Sequence, residues 1–270
     1  MSKWRPSKEC IYVIPDIHGY YSSLQQVLNR ILPLRDTDQV IFLGDYIDRG
    51  PESHLVIQKL IELDKEYGEQ IVPIMGNHEW LMLAGLDLIP YDSSIYSLSP
   101  TQIWLANGGP QTIQGYCKNA GIVDYQAVPM HRFLNIVPKD HIEFLTEKML
   151  LSYEYCNYIF CHAGCDPTQP LDDQPSELLL WDRSLYNLVC YCIKNKSKVP
   201  WSKVVVTGHN YNGPVITPNY MMLDSSRTHS LLCVELNSME GFYAYPGRKR
   251  MLKADLKEMT KLPRYIEKYM

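Results

Sequence analysis

Short apolar runs that end in turn residues alternate with amphipathic stretches along the first third of the chain. Ile11 to Ile14 is followed by a helical pattern from Ser22 to Leu32, Gln39 to Leu43 by Glu52 to Tyr67, and Gln70 to Met75 by a pattern from Glu79 onward. Runs this short, bounded by Gly, Pro and Asp, read as strands, while apolar positions spaced at three and four read as helices. The order βαβαβ needs crossover connections and so predicts parallel pairing. From Leu83 to about Leu150 the pattern turns mainly helical, with breaks at Gly108-Gly109-Pro110 and Pro138, and predicts a helical cap. Strands return at Tyr158 to Cys161, Lys203 to Val206, Tyr220 to Leu223 and Ser230 to Leu236, joined by turns suited to a second, mixed sheet. Met251 to Met270 reads as an amphipathic helix interrupted by Pro263.

With 270 residues, 46% hydrophobic and 21% charged, the chain has the composition of a globular protein, and one domain over 1–270 is expected. A net charge of -4 argues against a general nucleic-acid binder, which would carry a basic excess. The charge is unevenly spread. Residues 248–270 sum to +5 and residues 1–247 to -9, which suits a cation-binding core with a basic, solvated tail helix. Met1 to Cys10 has no apolar signal core, and no apolar run approaches the roughly 20 residues that a bilayer needs. A soluble, cytoplasmic protein with no membrane partner is expected, its 8 irregularly spaced cysteines reduced. The sequence carries no signal for oligomeric state.

Chemistry concentrates where the first strands end. Asp16 and His18 stand two residues apart after the first strand; Leu43-Gly44-Asp45-Tyr46-Ile47-Asp48-Arg49-Gly50 ends the second, and Gly76-Asn77-His78-Glu79 ends the third. Asp16 to Asp45 is 29 residues and Asp45 to Asn77 is 32, so each interval holds one helix and one strand. All three motifs then reach the carboxyl edge of a parallel sheet, where open α/β folds place their ligand crevice. Asp16 and His18 suit one metal ion, Asp45 can bridge to a second, and Asn77, His162 and His209 can complete the ligands of that second ion. Nitrogen and oxygen donors without thiolate suit manganese best, with iron or zinc as alternatives, over magnesium or calcium. Two such ions would generate a bridging hydroxide for in-line attack on phosphorus. His78 is placed to protonate a leaving alkoxide with Asp48 behind it, and Arg49, Arg183 and Asn77 are candidate contacts to the phosphoryl group. Cys161 abuts His162, but no cysteine has arginine six positions later, so a thiolate phosphatase is not indicated and Cys161 reads as a buried strand residue.

These residues, in this order, resemble the PPP family of metal-dependent phosphoprotein phosphatases, and in particular the short phage and bacterial branch that phage lambda protein phosphatase typifies. The family's motifs GDxHG, GDxVDRG and GNHE stand here as PDIHG, GDYIDRG and GNHE, and its two later histidines match His162 and His209. The short branch's W-L-x-N-G-G and I-W-x-R match Trp104 to Gly109 and Leu180 to Arg183. The resemblance covers about residues 10 to 236 and implies a four-layer α/β/β/α calcineurin-like metallophosphoesterase sandwich, a two-metal centre and phosphomonoester hydrolysis. Pro15 replaces a glycine, Asn210 stands where threonine is usual, and Asp224-Ser225-Ser226 lacks a usual glycine.

The expected function is a serine/threonine phosphoprotein phosphatase that also accepts phosphotyrosine, with phosphorylated proteins or peptides as substrates. Symmetrical bis(5'-nucleosyl)-tetraphosphatases share the scaffold but typically carry alanine in place of Asp48 and aspartate in place of Glu79. A pseudophosphatase acting as a binding scaffold would have lost ligands, whereas all six candidate ligand positions are filled here. His54, His131, His141 and His229 read as surface or packing residues.

Overall fold

Alternation of side chains within each strand decides the layering. A computed structural model describes residues 9–91 and 98–260 of the chain. Its elements run β1 (Ile11–Ile14), α1 (Tyr21–Ile31), β2 (Gln39–Phe42), α2 (Ser53–Tyr67), β3 (Ile71–Pro73), α3 (Asn77–Gly85), α4 (Pro100–Ala106), α5 (Gly109–Asn119), α6 (Met130–Leu134), α7 (Lys139–Glu143), β4 (Ser152–Tyr155) and β5 (Tyr158–Cys161). There follow α8 (Ser176–Trp181), α9 (Ser184–Lys194), β6 (Val204–Thr207), β7 (Val215–Thr217), β8 (Tyr220–Met222), β9 (Leu231–Glu235), β10 (Glu240–Ala244) and β11 (Leu252–Ala254).

One sheet has the order β11-β10-β9-β1-β2-β3 and the other β4-β5-β6-β8-β7. β1, β2 and β3 are parallel, as the crossover helices require. Odd and even positions of each strand face different layers. Ile11, Val13, Ile41 and Leu43 meet Phe160, Val206 and Met221 between the sheets. Tyr12, Ile14, Val40 and Phe42 face outward to α1, α2 and the helical segment, where Leu24, Leu28, Val56, Leu60, Trp104 and Phe133 cover them. Ile159, Cys161, Val205 and Tyr220 face Leu185, Val189 and Cys190 of α9 on the far side. Four layers result, α/β/β/α, and both sheets are covered on both faces. Among the described residues, no helix is long and apolar enough to cross a membrane.

Two expectations are corrected. Ser230 to Leu236 was expected in the second sheet, but β9 joins the first, antiparallel to β1 with Val13 opposite Val234. Every residue of β9 is buried, so it needs a place with both faces covered, and Glu235 seals the junction by accepting the Ile11 N–H at 3.2 Å. The basic tail does not begin as a helix: Leu252–Ala254 pairs with β10 as an edge strand, Gly241 opposite Ala254. Alternation explains the difference, because Ala254 and Leu256 turn into the sandwich core while Lys253 faces out to Glu240 at 3.0 Å. A turn and a short 3₁₀ helix, Glu258–Thr260, follow the strand, and the remainder of that expected helix, residues 261–270, lies outside the described residues.

Phe160 is fully buried between the sheets, so Phe160→Ala should lower unfolding free energy by about 3–5 kcal/mol. Leu252→Ala, at a side chain that is 46% exposed, should cost less than about 0.5 kcal/mol. Urea titrations of the two variants check the contrast, and equal losses would show that the sheets do not pack through Phe160.

Candidate metal centre

The loops after β1, β2 and β3 are bound to one another by backbone before any ligand is considered. Ile17 and His18 donate their N–H groups to the Asp45 carbonyl at 2.9 and 2.8 Å, and Gly50 donates to the His18 carbonyl at 2.9 Å. A single side chain then ties the second loop to the third. Glu79, fully buried, accepts the N–H groups of Asp45 (2.9 Å), Tyr46 (2.8 Å), Ile47 (3.1 Å) and Gly76 (3.0 Å). Its grip on Gly76 caps α3, so the helix starts at Asn77, two residues before the sequence pattern indicates.

This bracing holds conformations that side chains rarely adopt. His18 (φ 49°), Asp45 (54°), Asp48 (70°), Arg49 (64°) and His209 (65°) all lie in the left-handed region. Such residues cost on the order of 1–3 kcal/mol each and persist where the surroundings over-determine them. Close approach also dictates two glycines. A Cβ on Gly76 would fall 2.2 Å from the Asp45 nitrogen, and one on Gly208 would fall 2.2 Å from Asp16 Oδ2.

The side chains converge on Asp45. Its Oδ1 lies 3.3 Å from His162 Nε2 and accepts the His78 N–H at 3.2 Å. Its Oδ2 lies 3.6 Å from His18 Nε2 and 3.7 Å from His78 Nε2. Two donor groups therefore share this carboxylate, one with His18 and His78 and one with His162 and His209. Asn77 Oδ1 joins the second group, 2.9 Å from His162 Nε2 and 3.1 Å from His209 Nδ1. Asp16 borders the second group, its oxygens accepting the His209 N–H at 3.0 and 3.2 Å, and lies near enough to Asp45 for that charge to raise its pKa. All these side chains are buried.

The chemistry of this set fits two divalent cations. His18 Nδ1 is 3.0 Å from the Ile47 carbonyl and His162 Nδ1 is 2.7 Å from the Leu43 carbonyl, so each ring donates there and turns the lone pair of Nε2 inward. Burial lowers the pKa of His18, His162 and His209, which keeps them as the neutral imidazoles that ligate metal. Burial, with the charges of Asp224 and Asp45, pushes Asp16 up, a cost that a cation among the carboxylates would relieve. Cys161 turns the other way, into the layer beneath α9.

Beside the donors stand a histidine–carboxylate pair and an arginine. His78 Nδ1 is 2.6 Å from Asp48 Oδ2. Burial pulls the His78 imidazole down, but Asp45 and the Asp48 hydrogen bond outweigh it and the net shift is upward. The Arg49 guanidinium reaches over the cluster, 2.7 Å from His18 Nε2 and 3.2 Å from His78 Nε2. Arg183 is exposed at the head of α9, near enough to His209 to help lower its pKa after burial and His162. Thus the structure brings together Asp16, His18, Asp45, Asn77, His78, Asp48, Arg49, His162 and His209, with Arg183 at the rim.

Glu79 serves in the sequence analysis only to separate families, and Asp224 only to mark a missing glycine. Asp224 is buried beside Asp16 and also accepts the Ser226 N–H at 2.7 Å. The signal for Glu79 was present: an acid three residues into a helix that starts at glycine is half of a capping pair. Asp182 caps α9 through the Ser184 N–H at 2.8 Å. His141 is buried against the Tyr116 hydroxyl at 2.8 Å, and burial lowers it to about 4. His54 is half-buried, and His131 and His229 are exposed.

A model of the calcineurin-like phosphoesterase family matches residues 11–233. Among curated relatives, a symmetrical bis(5'-nucleosyl)-tetraphosphatase from Coxiella burnetii is 34% identical over 88 residues, 32% of this chain and 28% of that protein. Serine/threonine-protein phosphatase 2 of Escherichia coli is 33% identical over 99 residues, 37% of this chain and 38% of that protein. A symmetrical tetraphosphatase from Vibrio campbellii is 24% identical over 161 residues, 60% of this chain and 47% of that protein. The chain thus spans less than half the length of each of these relatives. A crystal structure of a candidate diadenosine tetraphosphatase superposes with a TM-score of 0.56 at 18% identity, over 89% of this chain and 95% of that one. A serine/threonine phosphatase from Saccharomyces cerevisiae gives 0.50 at 15% identity, over 91% and 79%. At such identities the likeness bears on the fold alone.

Glu79→Ala would orphan the four backbone donors it serves, and at about 1–3 kcal/mol for a buried unpaired group the variant should lose at least about 3 kcal/mol of stability. Urea unfolding of the metal-free protein measures this directly. A loss below about 1 kcal/mol would mean that the two loops are held by something else.

Proposed function

This chain belongs to the calcineurin-like phosphoesterase family, and from that premise we propose that it is a metal-dependent serine/threonine phosphoprotein phosphatase of the short PPP branch, able to accept phosphotyrosine. Phosphorylated proteins or peptides are its proposed substrates. Of the donor group His18, Asp45 and His78, His78 is reserved for proton transfer, so Asp16, His18 and Asp45 would hold one cation, and Asp45, Asn77, His162 and His209 the other, with manganese favoured by the nitrogen and oxygen donors. When bound, the cations supply Lewis acidity that activates water and offsets phosphate charge.

The observation that carries the reading is the hydrogen bond between Asp48 and His78. Asp48 fixes Nδ1, so the proton that His78 delivers must leave from Nε2, on the side of the ring facing Asp45 and Arg49. An imidazolium braced in this way is useful when the leaving group is a poor one, as the alkoxide of serine or threonine is. Arg49 presents a forked donor where phosphoryl oxygens would sit against His18 and His78, and Arg183 offers a second from the rim. The second reading, hydrolysis of symmetrical dinucleoside tetraphosphates, is favoured by the likeness to the Coxiella burnetii and Vibrio campbellii enzymes. Its leaving group is a phosphate, which departs without an acid. A pseudophosphatase scaffold has no specific observation in its favour.

Manganese-loaded protein assayed side by side should show higher kcat/KM on phosphoseryl and phosphothreonyl peptides than on diadenosine tetraphosphate. The reverse order would assign the chain to the second reading. His78→Asn should cut turnover of the peptides by roughly 10²- to 10⁴-fold with metal content intact, and aryl phosphates should lose less. Equal losses on alkyl and aryl esters would assign His78 another role.

A further inference from the structure

Trp104 and Thr112 lie on α4 and α5, remote in sequence from every strand end that carries a ligand, yet both reach Asp48. Trp104 is fully buried, and its indole N–H lies 3.0 Å from each Asp48 carboxylate oxygen. Thr112, equally buried, donates to Asp48 Oδ1 at 2.7 Å and accepts the Asp48 backbone N–H at 2.9 Å. Ser53 Oγ also accepts that N–H, at 3.1 Å, and lies 2.9 Å from Thr112 Oγ1. A threonine hydroxyl has one proton, and here it goes to the carboxylate, so Ser53 must be the donor to Thr112. The Asp48 carboxylate thus receives His78, Trp104 and Thr112, three donors that fix its position from three sides.

The two glycines between these helices complete the contact. The Gly108 carbonyl accepts the Arg49 N–H at 3.3 Å, and a Cβ on Gly108 would fall 2.9 Å from Arg49 Cγ. A Cβ on Gly109 would fall 2.8 Å from the Trp104 ring. Gly108 therefore lets α5 begin against Arg49, and Gly109 lets it begin against the indole. Asp48 and Arg49 are consecutive left-handed residues, φ 70° and 64°, a pair that needs outside support to persist.

We propose that the α4–α5 corner is a positioning device for Asp48-Arg49, with Trp104 and Thr112 as positioning residues that act on catalysis through the Asp48–His78 pair. The corner holds the carboxylate at the one place from which it can brace His78, and holds the arginine backbone from which the phosphate fork extends. Loosening its hold on the Asp48 carboxylate alone, with the Gly108–Arg49 contact kept, should slow the proton delivery that alkyl esters need and spare aryl esters. Metal binding should be untouched, since neither residue contacts a candidate ligand. The catalytic part of this inference rests on the reading of His78 as the acid.

Thr112→Val deletes the hydroxyl at nearly constant volume, and Thr112→Ser keeps it. Both manganese-loaded variants, with Trp104→Phe as a second probe, are assayed on a phosphothreonyl peptide and on p-nitrophenyl phosphate, and the His78 Nδ1 proton is followed by NMR. Thr112→Val and Trp104→Phe should lower kcat on the peptide by about tenfold or more, with KM, aryl phosphate turnover and metal content within about twofold of the unmutated protein. The Nδ1 proton should change its shift in both, and Thr112→Ser should behave as the unmutated protein. An unmoved Nδ1 proton in Thr112→Val and Trp104→Phe overturns the proposal, and so does an equal loss on both substrates. If the unmutated protein cleaves the aryl phosphate but not the peptide, the phosphoprotein reading falls, and the corner is still judged by the Nδ1 proton.

Discussion

The contact on which the site depends is the Glu79 carboxylate between two loops. Parallel strands bring the ends of β2 and β3 side by side, but nothing in strand pairing dictates how the chain leaves them. Glu79 settles this by accepting N–H groups from Asp45, Tyr46 and Ile47 on one side and Gly76 on the other. Those bonds hold Asp45 in its left-handed conformation and start α3 at Asn77, so the central carboxylate and the amide opposite it are placed by one side chain. Burial and the nearby Asp45 charge push the Glu79 carboxyl up to about 8, which marks the cost of putting an acid there. The backbone donors around it offset part of that cost.

Around this bracket, placement is divided among elements that do not share a sheet. β1, β2 and β3 deliver Asp16, His18, Asp45 and Asn77 from the first sheet, whereas β5 and β6 deliver His162 and His209 from the second. The packing of the sheets through Phe160, Val206, Ile41 and Leu43 therefore sets the distance between the two halves of the site. Direct bonds stitch the halves together, from His162 to the Leu43 carbonyl and from the His209 N–H to Asp16. The helices over the outer face reach Asp48 instead of the ligands. The Asp48 carboxylate is thus held in part by two helices, α4 and α5, that supply no candidate ligand.

The sequence made the repeating strand–helix pattern and the ligand types legible, because both are local: apolar periodicity, and rare residues at strand ends. It was less informative wherever a role depends on a distant partner. Glu79 reads locally as an ordinary acid in a first turn, and its bonds to residues more than thirty positions away exist only in the fold. Asp224 acquires meaning from Asp16, and Trp104 from Asp48, by the same logic. The misplacement of β9 has a related cause. Strands buried on both faces look alike in either sheet, and only the antiparallel pairing with β1 decides between them. At the tail, the two apolar positions of a short edge strand, Leu252 and Ala254, were too few to separate a period of two from one of 3.6.

The central claim is that Asp45 serves two cations at once, and electron paramagnetic resonance of the manganese-loaded protein tests it most directly. A shared carboxylate predicts an exchange-coupled pair, seen as a temperature-dependent multiline signal that Asp45→Asn converts to the signals of isolated ions. Isolated-ion signals in the unmutated protein at two equivalents of manganese, or a coupled signal that survives Asp45→Asn unchanged, would contradict it.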